Sequence, residues 1–149
     1  MSLDVDVAAE NIRVPLGRDA VRRAAATALR AERVKHALLS ITFLDKRAMA
    51  RLNKSHLGHS GATDVISFGF TRATVSDPVV GDIYICPDVA REHAAERGVG
   101  IREELTRLVI HGVLHILGHE HPVDSARESS AMWKRQERLL ARVTRASVR

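Results

Sequence analysis

Residues 101–122 read IREELTRLVIHGVLHILGHEHP, and the arrangement of the rest of the chain follows from this stretch. Its first turns carry Arg102, Glu103, Glu104 and Arg107, whereas Ile110 to Leu117 is apolar apart from two histidines. The pattern predicts a helix from Ile101 to Leu117 whose apolar second half is buried. Gly118 supplies the left-handed residue on which helices commonly end, and Pro122 bars a simple helical continuation. Residues four apart share a helix face, so His111 and His115 aim ring nitrogens at one point. After the reversal at Gly118, His121 approaches that point from the other side.

Outward from this helix, four β-like runs and four more helices are expected. Leu3, Val5 and Val7 alternate with Asp4 and Asp6, and Leu39, Ile41 and Phe43 alternate with Ser40 and Thr42 within Ala37 to Leu44. Two further runs, Asp64 to Phe70 and Val79 to Cys86, flank a turn containing Asp77-Pro78. Asp19 to Arg33 places Val21, Ala25, Ala28 and Leu29 on one helical face. Asp45 reads as the N-cap of a short helix reaching about Asn53, and Lys54 to Ala62 reads as a loop from its polar, glycine-broken composition. Pro87-Asp88 opens a helix that stops near Gly98. Ser125 and Glu128 have capping-box spacing before a last helix with Met132, Gln136, Leu139 and Val143 as its apolar-side stripe. Strands that precede and mingle with helices give an α+β or mixed α/β layer.

A chain of 149 residues, 45% of them apolar, is the size of a single domain, 1–149, with a core of its own. No run is long and apolar enough to span a membrane, and the amino terminus lacks a basic start and an apolar signal core. The lone Cys86 allows no internal disulfide, and no disulfide-linked partner is expected. A reducing cytoplasmic location fits. A net charge of +5 and a pI near 10.1 suit a polyanionic partner. Aromatic residues make up only 3%, which argues against a base-stacking platform and leaves phosphates and shape as the handles.

Three neutral imidazoles with no carboxylate would leave a divalent ion's charge undiminished, with at least one position open for water or substrate. Such an ion lowers the pKa of bound water or polarises a phosphoryl oxygen. Zinc heads the candidates, with nickel, cobalt and copper also compatible. The spacing H-x-x-x-H-x-x-G-x-x-H is that of the metzincin metalloproteases, except that Gly112 stands where their general-base glutamate would be. A zinc metalloprotease-like hydrolase is therefore the weaker alternative. His119 competes for the third position, but the glycine-plus-three register favours His121. Glu120 either orients a ligand histidine or is a solvated turn residue. Asp64 and Asp82 are candidate substrate or supporting groups, or else satisfy local backbone. Ser67 has no Ser-His-Asp context and reads as structural, and Cys86 reads as buried packing. Lys134, Arg135, Arg138, Arg142 and Arg145 form a basic surface on the last helix.

The run from His111 to His121 resembles the YbeY family pattern H-G-x-L-H-[LI]-x-G-[YH]-D-H, with Glu120 in place of the aspartate. Leu52-Asn53 followed by Thr63-Asp64-Val65-Ile66-Ser67-Phe68, and Gly81-Asp82-Ile83-Tyr84-Ile85-Cys86, resemble two more family segments in the same order. The resemblance implies a single α+β domain: a small mixed sheet of about four strands packed with five or so helices, the metal-binding helix central and a basic cleft beside the three-histidine site. It further implies a single-strand-specific, metal-dependent endoribonuclease acting in 16S ribosomal RNA 3′-end maturation and ribosome quality control. Ribosomal RNA or the small subunit would be the partner, with ribosomal or GTPase proteins as further partners. One departure stands out. The family's usual arginine after L-N aligns with Leu57, which can neither bind nor neutralise a phosphate. Lys54, His56 and His59 either substitute for it or are simply a solvated loop. Leu57 keeps a third reading open, a non-catalytic ribosome-associated factor with a structural metal.

Overall fold

The computed structural model of the chain describes residues 1–119 and 130–148. The elements, in chain order, are β1 (Ser2–Glu10), α1 (Arg18–Ala31), β2 (His36–Leu44), α2 (Lys46–Leu57), β3 (Val65–Gly69), β4 (Val79–Ile85), α3 (Pro87–Arg97), α4 (Ile101–Ile116) and α5 (Ala131–Val148). The strands form one mixed sheet in the order β1-β2-β4-β3. β1 and β2 run parallel, as do β2 and β4, while β3 returns antiparallel on β4. The α+β class and the small mixed sheet of four strands follow as expected.

The register assigns the two faces. Val7, Ile41, Ile83 and Ser67 lie in one row across the sheet, with Leu39 and Gly81 in the next. The apolar residues on this face join α1, α4 and α5 in the main core, where Ile41, Ile83, Val109, Ile110, Val113, Leu114 and Leu139 are buried. Helix α4 touches β3, β4, α1, α3 and α5, so it is the central element. The opposite face is covered at one end by α2, through Leu44, Met49, Ile66, Cys86 and Val89.

Two glycines set how close α4 lies to the sheet. A Cβ on Gly112 would sit 2.9 Å from Cγ2 of Ile83, and one on Gly81 would sit 2.6 Å from Cδ1 of Ile116. Ordinary carbon–carbon contacts are about 3.5–4.0 Å, so helix and strand interlock only because both positions lack a side chain.

Asp45 caps α2 as expected, its carboxylate accepting from the Ala48 N–H at 2.8 Å. The helix does not stop near Asn53, however, but continues to Leu57 and ends at Gly58 with φ +70°. Lys54, Ser55 and His56 are thus an exposed turn of helix rather than a loop, because Gly58 is the first residue able to adopt the left-handed ending cheaply. Gly118, at φ +97°, follows the end of α4 in the same way. The Ser125/Glu128 capping box lies outside the described residues. Among those described, Ser130 caps α5, its hydroxyl accepting from the Trp133 N–H at 3.1 Å.

Candidate metal centre

His111 and His115 sit one turn apart on the half of α4 that faces β3 and the start of α5. Their rings are nearly parallel, 25° apart, with centroids separated by 6.3 Å. Each Nδ1 meets a polar atom from another element. His111 Nδ1 lies 2.7 Å from Oε1 of Gln136 on α5, and His115 Nδ1 lies 3.2 Å from Oγ of Ser67 on β3. With Nδ1 engaged, Nε2 is the nitrogen each ring would offer to an ion, and two imidazoles so oriented suit a divalent cation. His121 and Glu120 lie outside the described residues. His119, the competitor, is turned to α1: its Nε2 pairs with the Glu32 carboxylate, which also accepts from Arg135 at 2.9 Å. Burial would raise the Glu32 pKa, but the hydrogen bonds from His119 and Arg135 prevail and hold it low.

Sequence reasoning set Ser67 aside and assigned Gln136 only to the apolar stripe of α5. Gln136 is 1% exposed, so its amide is a buried polar group that must find partners. A glutamine within an otherwise apolar stripe was the available signal. For Ser67 the signal was alternation, since it shares a face with Ile83 and therefore points to α4.

Asp82 alternates to the other face, where it accepts from Ser40 Oγ at 2.6 Å, so the sheet separates it from the histidines. Lys54 and His59 are exposed, on α2 and just beyond it, and Leu57 is 45% exposed at the end of that helix. Asp64 is half-buried, 3.1 Å from His93 Nδ1, and shares with His111, Gln136, Glu104 and Arg107 the lining of a cavity of about 40 Å³.

Asp64, His93 and Glu104 bring one ligand atom each within 4.8 Å of one another, a second donor set able to hold a cation among the described residues. No sequence spacing announced it, because the three come from a loop, α3 and α4. Glu104 is already committed, accepting from Arg107 NH1 at 2.6 Å. Arg107 is itself buried, with Nε and NH2 on the two oxygens of Glu137 at 2.9 and 3.1 Å and NH2 also on Glu103 at 3.1 Å. Burial would lower its pKa, yet the Glu137 and Glu104 carboxylates outweigh that and raise it. The charged start of α4 is thus partly interior, with Glu104 and Arg107 buried beside the apolar second half.

Fold and site define an α+β protein whose central helix presents paired, oriented imidazoles. The model of the family described as Endoribonuclease YbeY matches residues 6–144, and the chain belongs to that family. It is 35% identical over 153 residues to the Endoribonuclease YbeY of Bacillus licheniformis, covering 95% of this chain and 96% of that one. With the Endoribonuclease YbeY of Frankia alni it shares 40% identity over 113 residues, 69% of this chain and 61% of the relative's length. The solution structure of a Thermotoga maritima protein matches the fold with a TM-score of 0.61 at 21% identity, covering 93% of this chain and 88% of that one. Among the described residues no helix is long and apolar enough to cross a membrane, and the single cysteine is buried.

Proposed function

We propose that this chain is a metal-dependent endoribonuclease, one domain over 1–149, that cleaves single-stranded RNA during 3′-end maturation of 16S ribosomal RNA in the cytoplasm. Family membership supports the activity. The observation that carries the metal is the orientation of His111 and His115, each held at Nδ1 by a group from a different element. His111, His115 and His121 would hold the ion, zinc first among the candidates, and when bound it supplies Lewis-acid charge to a phosphodiester. The chain's own work is positional. Gln136 and Ser67 hold the two rings, and α4, wedged against β4, holds their spacing. Net charge +5 draws the polyanion, with exposed Lys54 and His59 placed to meet phosphates beside α2.

Gly112 argues against the metalloprotease alternative on more than sequence grounds. Its Cβ direction runs into Ile83 inside the core, so the position has no room for a glutamate reaching the metal. The exposed Leu57 favours the remaining rival, a ribosome-bound factor that does not cut.

The test incubates zinc-loaded protein with single-stranded fragments from the 3′ end of small-subunit ribosomal RNA. Cleavage is expected, with loss in His111→Ala, His115→Ala and His121→Ala. Cleavage unchanged in His115→Ala would sink the assignment. Metal binding retained in that variant but lost in His93→Ala would move the ion to the second donor set. Salt-sensitive ribosome binding with no cleavage would favour the non-catalytic factor.

A further inference from the structure

Among the described residues, Gln136 is the one polar side chain in the buried stripe of α5, and both ends of its amide are committed. The constraint begins at Arg107, whose guanidinium has only donors to offer. It places Nε 2.9 Å from Oε2 of Glu137 and NH2 3.1 Å from Oε1, so both carboxylate oxygens act as acceptors. Burial works to raise the Glu137 pKa, but hydrogen bonds from Arg107 and Gln136 overcome it and keep the carboxylate ionised. An atom of Gln136 that meets Glu137 Oε2 must therefore donate, which makes the atom 3.1 Å away Nε2 and rules out a flipped amide. The other end of the amide is then the oxygen, an acceptor with no hydrogen to give. His111 Nδ1, 2.7 Å from that oxygen, has to be the donor.

We infer that Gln136 is a positioning residue that locks His111 as the Nδ1–H tautomer, so that Nε2 keeps its lone pair for the metal. The direction of the lock is set by Arg107, through Glu137. The chain of donors runs Arg107 to Glu137, Gln136 to Glu137, and His111 to Gln136, and reversing any one link would leave two donors or two acceptors facing each other. Ser67 cannot impose the same order on His115, because a hydroxyl both donates and accepts. The Ser67 contact thus sets no direction for His115, while His111 is fixed before metal arrives.

This inference rests on the metal reading above, and two measurements separate them. Long-range proton–nitrogen correlations of the full-length, metal-free protein at mildly alkaline pH report which nitrogen of His111 is protonated. Cobalt(II) titration in competition with a chelator, read by the visible absorption of the ion, reports affinity. Wild type should show His111 protonated at Nδ1. Gln136→Met removes the acceptor at similar volume, and should give mixed or Nε2–H tautomer and a 10–100-fold loss of cobalt affinity. Wild type showing Nε2–H would overturn the lock, whether or not Gln136→Met folds. So would Gln136→Met keeping the wild-type tautomer and wild-type affinity. If wild type shows the Nδ1–H signal but binds no cobalt, the metal reading fails and the lock stands.

Discussion

Replacing Gly112 by alanine adds one methyl group at the point where α4 meets β4, and the structure sets the scale of the effect. The new carbon would lie 2.9, 3.0 and 3.2 Å from Cγ2, Cδ1 and Cγ1 of Ile83, all short of ordinary contact. Ile83 is fully buried and sits in the main core, so it has nowhere to withdraw. Overpacking of this kind costs about 1–3 kcal/mol, while alanine's better helix propensity returns about 1 kcal/mol. The net is a destabilisation of about 0–2 kcal/mol, too small a window to decide anything alone. The coupling to Ile83 is decisive. In an Ile83→Ala background all three opposing carbons are gone, and the same Gly112→Ala change should stabilise by about 1 kcal/mol. Urea unfolding of wild type, both single variants and the double variant gives the cycle. Ile83→Ala itself costs about 2–5 kcal/mol, so the double variant should be the more stable of the two Ile83→Ala proteins. A coupling energy of roughly 1–3 kcal/mol is expected. If the two changes add within about 0.5 kcal/mol, α4 does not rest on Ile83 through Gly112 and the packing argument is wrong.

Four other outcomes are expected. The Glu32 carboxylate is held below its usual range by His119 and Arg135, so its contribution is present above the unfolded value of 4.5 and lost as pH falls through the folded one. Glu32→Gln should therefore flatten the acid limb of a stability-against-pH curve, and an unchanged limb would place the titrating group elsewhere. Burial pushes the Cys86 thiol up, so native protein should react with a thiol reagent far more slowly than urea-unfolded protein. Asp45→Ala removes the cap on α2 and should cost about 1 kcal/mol in chemical denaturation. Leu57→Arg restores a cation at an exposed helix end, and should tighten binding to single-stranded RNA and steepen its salt dependence by about one phosphate contact. An unaltered salt slope would mean that this end of α2 lies off the RNA path.

Much of the fold was legible because its signals are local. Alternation marked β1 and β2, the Ala-rich periodicity marked α1, and Asp45, Pro87 and Gly118 marked helix ends, each through chemistry confined to a few neighbouring residues. The misreading of Lys54 to Leu57 as loop has the same origin. Polar composition is shared by loops and by exposed helical turns, and the glycine that ends the helix comes only at Gly58. Of the candidate site, the pair His111 and His115 was legible from spacing on one helix. Ser67 and Gln136 were not, since they reach those rings from 48 and 25 residues away in sequence. Asp82 looked equivalent to Asp64 until strand pairing put it on the other face with Ser40.

The sequence by itself determined which helix would be buried and that two imidazoles would share its face, because helical period and apolarity are properties of one segment. Tertiary structure decided why Gly112 is a glycine, which nitrogen of each histidine is engaged, and which acidic residues lie near the site. Those depend on how close α4 comes to β4 and on what α5 and β3 bring to it, and contacts between segments leave no periodic trace in any one of them.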